Sequence, residues 1–439
     1  MKRCELLIKH TTALINPKTV SEQVDIAIGD GMILEVGENL AEQYCAKEVW
    51  DGTDQLWTSG LIDSHMHTGQ QLLRGCVLDA KPIIWTRIML PFESTLTPEK
   101  MKLSAELASL EMIKSGTTSF VDAGSYYMEA AGEVYERSGL RGALSYSSMD
   151  EKGLPSSIAM NAKEAIQKTD ELYDRFHKKG NLKVYYSLRA LNSCSNELVL
   201  LAAQRAKERN TMLQAHMNEY QGEVNGIFAR EGMTPYEYLE KLDVLNEKFL
   251  GAHSLILSKR EKELIKQRGS KVCHCPFSNC GKAVPDTPEL LEQGISVGLG
   301  TDGAAHGGMS LWNEMKIFRS VMNIYHGVPN GNPKIMPAEH ILAMATEGGA
   351  NALDESGTLG RIEKGYKADL IGINWNQGHL LPTGNYKKTL LECVNANDVT
   401  DMLVNGKVLM HNREVLTLDE ERILFEAKQF MKERGLNEE

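Results

Sequence analysis

The sequence predicts an α/β protein: a (β/α)8 barrel of the TIM type, joined to a small β-sandwich-like domain built from both ends of the chain. Three observations carry this reading. Eight apolar, β-rich segments recur with charged, helix-patterned spacers between them. The two ends switch to two-residue alternation with tight turns. The length of 439 residues suits a barrel of about 250 residues or more with an accessory domain. The expected division is residues 59–365 for the barrel and residues 1–58 with 366–439 for the composite β domain.

The N-terminal segment alternates through Val24-Asp25-Ile26-Ala27-Ile28, turns at Asp30-Gly31 and returns as Met32-Ile33-Leu34-Glu35-Val36, a hairpin pattern. Barrel strands are then expected at 57–67, 117–124, 140–148, 181–189, 211–219, 247–254, 270–278 and 295–302. Between the first two, Leu103, Leu107, Leu110 and Ile113 share a helical face, and Thr97 stands as N-cap before Pro98 and Glu99. The spacers 155–178, 195–209, 231–243, 257–269 and 286–294 read as further helices. Beyond the barrel, Leu370-Ile371-Gly372-Ile373 and Met402-Leu403-Val404 resume the alternating style, with an Asn405-Gly406 turn, and residues 418–435 read as a closing helix.

Composition excludes several function classes. The net charge of −11 comes with no Lys/Arg block, so nucleic acid is not an expected partner. The opening Met1-Lys2-Arg3-Cys4 is charged, and no stretch approaches the ~20 apolar residues of a membrane span, so the expected location is the cytoplasm. Eight scattered cysteines suit a reducing compartment. Cys273, Cys275 and Cys280 lack the paired spacing of a structural zinc site and read as free thiols.

Metal-competent residues sit where individual strands should end, the face on which such barrels place their active sites. The first strand ends in Asp63-Ser64-His65-Met66-His67, and two residues apart on a strand both imidazoles point to one side. The fifth ends in His216 with Glu219 three residues on, the sixth in His253, and the eighth in Thr301-Asp302-Gly303. Each alone reads equally well as a structural histidine or a capping carboxylate; their joint occurrence at strand ends is the signal. Three histidines and a carboxylate make an N/O site suited to one divalent metal, Zn2+ first and Fe2+ second, with a position open to water.

These motifs identify the chain as resembling the amidohydrolase superfamily, in its cytosine deaminase-like and chlorohydrolase-like aminohydrolase branch. The matching elements are Gly60-Leu61-Ile62-Asp63-Ser64-His65-Met66-His67, Leu72-Leu73-Arg74-Gly75, Gly116-Thr117-Thr118, His216 with Glu219, Ala252-His253, His274-Cys275-Pro276 with Ser278-Asn279, and Gly300-Thr301-Asp302-Gly303. The resemblance implies that His65, His67, His216 and Asp302 hold the metal, and that Glu219, His253 and Asp302 handle protons in the hydrolytic deamination of a small amino-substituted heterocycle. Binuclear relatives use a lysine at the end of the fourth strand; that end reads Ser187-Leu188-Arg189, with Lys183 at the beginning, so one metal is expected.

For the substrate, the resemblance implies a purine nucleoside or purine-like base met by Trp85 and Glu93, the carboxylate taking ribose hydroxyls. Arg189 and Tyr146 stand where adenosine-type deaminases of the branch carry a histidine and an arginine, and Cys280-Gly281-Lys282-Ala283 replaces a small apolar stretch. Guanine, pterin, oxidised-purine and triazine-type substrates, the last with chloride or amine as leaving group, therefore stay open as alternatives. A binding protein on the same scaffold is the remote one. His306 is a further substrate-contact candidate, His274 is expected to point into the barrel beneath the metal in a supporting or packing role, and a homodimer is implied by resemblance.

Overall fold

The computed structural model describes residues 1–81 and 83–434. Five strands open the chain: β1 (Lys2–Asn16), β2 (Thr19–Gly29), β3 (Met32–Gly37), β4 (Tyr44–Asp51) and β5 (Gln55–Ser59). The barrel follows as β6 (Leu61–Met66), β7 (Thr117–Asp122), β8 (Arg141–Leu144), β9 (Leu182–Val184), β10 (Tyr186–Leu188), β11 (Leu213–Met217), β12 (Phe249–His253), β13 (Lys271–His274) and β14 (Val297–Leu299). The chain then returns through β15 (Leu370–Asn374), β16 (Val399–Val404), β17 (Lys407–His411) and β18 (Glu414–Val415).

The barrel strands run parallel in sequence order, β6 to β9 and β10 to β14. β9 and β10 are halves of one fourth strand on either side of Tyr185, whose N–H reaches the Leu144 carbonyl at 2.9 Å while that of Tyr186 reaches Met212 at 3.1 Å. The ring closes where the Asp302 N–H donates to the His65 carbonyl at 3.0 Å. Ile62, Val121, Ala143, Tyr185, Leu250 and Cys273 fill the interior, and the opposite faces of the strands pack under the helices. Each of the eight expected segments contains its strand.

The crossover helix spans Pro98–Ser115, with the Thr97 hydroxyl accepting from Lys100 N–H at 3.3 Å. Other expected helices lie within their spacers, among them Ala162–Phe176, Asn196–Glu208, Lys259–Arg268 and, at the end, Glu420–Glu433. The 231–243 spacer also holds its helix, but an additional one precedes it. Gln221–Glu231 ends at Gly232, whose φ of 73° breaks the helix, and Pro235–Lys241 starts a second one. No helix among the described residues is long and apolar enough to cross a membrane.

The terminal strands form one sheet in the order β18-β17-β16-β15-β5-β1-β2-β3, with β4 also on β1. β1 changes partner midway, taking β4 along Lys2–Lys9 and β5 along Thr12–Leu14, with register shifts between Ile8 and Ala13. That irregularity lets one continuous sheet curl around a shared core of Ile26, Ile28, Trp57, Leu370 and Leu403, so the sandwich-like packing arises within a single sheet. Both hairpins turn as read, with positive φ at Asp30 (53°) and Gly31 (76°) and at Asn405 (52°) and Gly406 (71°).

Sheet and barrel meet at Gly60, the single residue between β5 and β6. Its N–H donates to the Asp369 carbonyl at 2.9 Å, and a Cβ there would lie 2.1 Å from Thr118. The Asp369 side chain accepts two hydrogen bonds from buried Arg141, at 2.7 and 3.1 Å, locking β15 to β8.

Candidate metal centre and active site

The first two histidines leave β6 through a disturbed register, with a pairing shift between Asp63 and Met66. Buried Asp63 braces this turn, accepting the His65 N–H (3.2 Å), the Thr301 N–H (3.1 Å) and the Thr301 hydroxyl (2.6 Å). His216 stands near the end of β11 and His253 ends β12. Asn218, His253, Ser254 and Asp302 all have positive φ, at 50°, 66°, 47° and 61°. Non-glycine residues rarely take this conformation, and its recurrence at three strand ends turns side chains into the barrel mouth at a cost the surrounding packing must hold.

One donor atom from each of His65, His67, His216 and Asp302 lies within 4.8 Å of all the others. The His67 and His216 Nε2 atoms face each other at 3.1 Å, and Asp302 Oδ1 lies 3.3 Å from His67 Nε2 and 3.4 Å from His65 Nε2. Both ring nitrogens of His65, Nδ1 of His67 and Nε2 of His253 are buried without a hydrogen-bond partner. Buried polar atoms are rarely left so. Burial holds His216 well below its ordinary value, with neighbouring histidines adding to it, and burial and Arg189 push His67 down to about 4. Imidazoles kept neutral are in the form that ligates. The donor set therefore fits a divalent metal.

Glu219 and His253 border this cluster. His253 Nε2 is 3.7 Å from Glu219 Oε1 and 4.0 Å from Asp302 Oδ1, and its Nδ1 meets Asn279 Oδ1 at 3.1 Å. Burial would raise the Glu219 carboxyl, but His253 and Lys282 outweigh it and hold it low. Lys282 escaped the sequence reading except as a departure from pattern. Its ammonium donates to Glu219 Oε1 and, at 2.6 Å, to Ser278 Oγ, which donates to Asp302 Oδ2 at 2.6 Å. A lysine three residues beyond Asn279 was the available signal.

A cavity of about 520 Å3 opens on the cluster, lined among others by His67, Trp85, Arg189, Glu219, Asp302 and His306. Trp85, Arg189 and His306 thus reach it, with the Arg189 guanidinium 5.8 Å from the Trp85 ring centre and His306 Nε2 3.7 Å from Asp302 Oδ2. Two other expected contact residues stand behind the wall. Glu93 is 1% exposed and its carboxylate is taken by Arg189, at 3.2 Å to each oxygen, and by Gln70 at 2.9 Å. The arginine in place of a histidine thus occupies the group expected to receive a ribose. Tyr146 packs edge-on against Tyr126, ring centres 5.8 Å apart, in an apolar cluster with Leu90, Met149 and Ile158.

His274 corrects an expectation. The strand alternates as read, but Cys273 and Cys275 face the barrel interior, and the His274 ring lies on the helix side, 6.3 Å from the Phe318 ring. Its Nδ1 meets the His253 carbonyl at 2.7 Å. Lys183, at the start of the fourth strand, points to the opposite end of the barrel, where it donates to the carbonyls of Leu353 and Asp354 at 3.0 and 2.9 Å.

Comparison with known proteins places this geometry in context. The amidohydrolase family profile matches residues 56–409. A 5′-deoxyadenosine deaminase of Methanosphaera stadtmanae is 31% identical over 433 residues, covering 96% of this chain and 97% of its own. A 5-methylthioadenosine/S-adenosylhomocysteine deaminase of Thermoanaerobacter pseudethanolicus is 32% identical over 432 residues, covering 96% and 97%. Among solved structures, a zinc-bound adenosine deaminase from Xanthomonas campestris superposes with a TM-score of 0.92 over 98% of this chain and 99% of that one, at 24% identity. With its histidine and aspartate cluster at the mouth of the barrel and this match along most of its length, the chain belongs to the amidohydrolase family.

Proposed function

We propose that this protein is a metal-dependent hydrolytic deaminase that removes an exocyclic amine from a purine nucleoside or related base as ammonia. The convergence of four donors beside a glutamate that faces the cavity carries the reading, and the names of its relatives support it. His65, His67, His216 and Asp302 would hold the ion, zinc before iron, on the barrel of residues 59–365. A divalent metal so held lowers the pKa of a water toward ~7, making hydroxide available at neutral pH.

The chain's own groups supply the rest. Only Oε1 of Glu219 has a hydrogen-bond partner among the described residues, so Oε2 is the atom offered to the substrate. Ionised at rest, Glu219 first takes one proton from the attacking water and hands it to the ring nitrogen next to the amine-bearing carbon. His253, neutral through burial and held by Asn279, orients the attacking water. Asp302, at the junction of His253 and His306, passes the second proton, from the added hydroxyl, to the departing amine, so that water and substrate leave as a carbonyl product and ammonia. Trp85 offers an aromatic wall to a flat ring, and Arg189 offers its remaining N–H donors. Eight unpaired cysteines support the reducing cytoplasm as the place of work, and a homodimer is the assembly we expect.

The test is an ammonia-release screen of purified protein over 5′-deoxyadenosine, methylthioadenosine, S-adenosylhomocysteine, guanine, pterins and aminotriazines. Release from adenosine derivatives, abolished by a chelator and restored by zinc, is the expected result. No release from any aminated heterocycle would remove the reading.

A further inference from the structure

Lys282 is a cation in a place where a buried cation needs a reason. Its side chain is 5% exposed, next to the carboxylates of Glu219 and Asp302 in the site just described. A tight turn delivers it: the N–H groups of Lys282 and Ala283 both reach the Asn279 carbonyl, at 2.8 and 3.2 Å, directly after the asparagine that holds His253. The ammonium then binds Glu219 Oε1 and Ser278 Oγ, lies 3.7 Å from Asp302 Oδ2 and sits 5.2 Å from the centre of the Tyr220 ring. Those contacts engage one oxygen of Glu219 and leave the other toward the cavity.

We propose that Lys282 is a positioning residue that clamps Glu219 by one carboxylate oxygen so that the other is presented to the substrate. The proposal rests on the proton-transfer role of Glu219 given above. A carboxylate tethered only by its own rotatable side chain samples several orientations in a cavity of this size. A charge-assisted hydrogen bond to one oxygen selects one of them. Ser278, bonded to both Lys282 and Asp302, makes the clamp rigid by tying it to a second fixed group.

The experiment compares Lys282→Met in the wild-type and Glu219→Gln backgrounds, using whole protein loaded with zinc. Misplacement of a reacting group by about 1 Å costs roughly 100-fold in rate. We therefore expect Lys282→Met to lower kcat about 100-fold with KM within about threefold, metal content unchanged, and no further loss when added to Glu219→Gln. A kcat within threefold of wild type, or an equal loss in both backgrounds, would overturn the proposal. So would loss of metal from the variant, since the lysine would then be serving Asp302. Absence of ammonia release by the wild type would instead count against the deaminase reading. In that event a crystal structure of metal-loaded Lys282→Met decides: Glu219 turned away from the cavity supports the clamp, and an unmoved Glu219 refutes it.

Discussion

Gly300 offers a test of how closely the strands of the proposed metal ligands are packed. It lies two residues before Asp302 on the stretch that closes the barrel, and its φ is not positive, so space rather than backbone conformation demands glycine. A Cβ there would lie 2.6 Å from the His65 carbonyl oxygen, 2.8 Å from its nitrogen and 3.0 Å from its Cβ. Ordinary contacts between such atoms are about 3.5 Å, so Gly300→Ala must drive the two strands apart by roughly 0.5–0.9 Å. Two of the atoms met are backbone and the third is the Cβ fixed to it, so none can swing aside, and each strand carries a proposed ligand. Metal-ligand distances tolerate only about 0.2 Å, so affinity should fall at least about 10–100-fold, with roughly 1–3 kcal/mol lost in stability. Zinc affinity by chelator competition, with thermal melting alongside, measures both. Gly226→Ala is the control: it adds a Cβ into open space within the helix Gln221–Glu231 and should leave both unchanged or slightly improve stability. A Gly300→Ala protein that binds zinc like wild type and melts with it would refute the packing argument.

Three further outcomes are expected. Glu219→Gln should retain its metal while kcat for ammonia release drops about 10²–10⁴-fold, because only the proton carrier is removed; turnover near wild type would show the proton moving elsewhere. Asp369→Ala leaves the buried Arg141 guanidinium unpaired and should cost about 3–5 kcal/mol in denaturant unfolding; a loss below 1 kcal/mol would mean the pair carries little. Burial pushes the Glu355 carboxyl up, but hydrogen bonds from Lys183, Lys367 and Thr358 outweigh it and hold it at about 2. A carboxylate depressed below its unfolded value of ~4.3 contributes stability that is complete above that value and lost as pH falls through the folded one. Glu355→Gln should thus be less stable at neutral pH and lose less between about pH 4.5 and 2 than wild type; parallel acid limbs would sink this.

Much of the fold and the site was legible because the relevant signals are local. His65, His67, His216, His253 and Asp302 each stand within three residues of a short apolar, β-rich run, and Asp30-Gly31 and Asn405-Gly406 demand the positive φ that both turns show. Local pattern is silent on pairings between distant segments. A two-residue alternation says that His274 and Cys273 face opposite ways, but not which way is inward. Glu93 and Arg189 lie 96 positions apart, and nothing near either one announces that they neutralise each other. Lys282 stands out in the sequence only as a departure from a small apolar stretch, and the tight turn after Asn279 is what brings it to Glu219. The change of partner along β1 was hidden too, since its residues keep one alternating style while pairing first with β4 and then with β5.

The spread of the four proposed donors along the chain has a bearing on how the enzyme is born. The proposed ligands His65 and His67 leave the ribosome long before Asp302, which must wait for the closing strand of the barrel. Nascent chains therefore carry imidazoles but lack the fourth proposed donor until residue 302 has emerged. Capture of an ion by all four donors becomes a late event in synthesis, and a product terminated before Asp302 should go to the proteases without ever having sequestered metal.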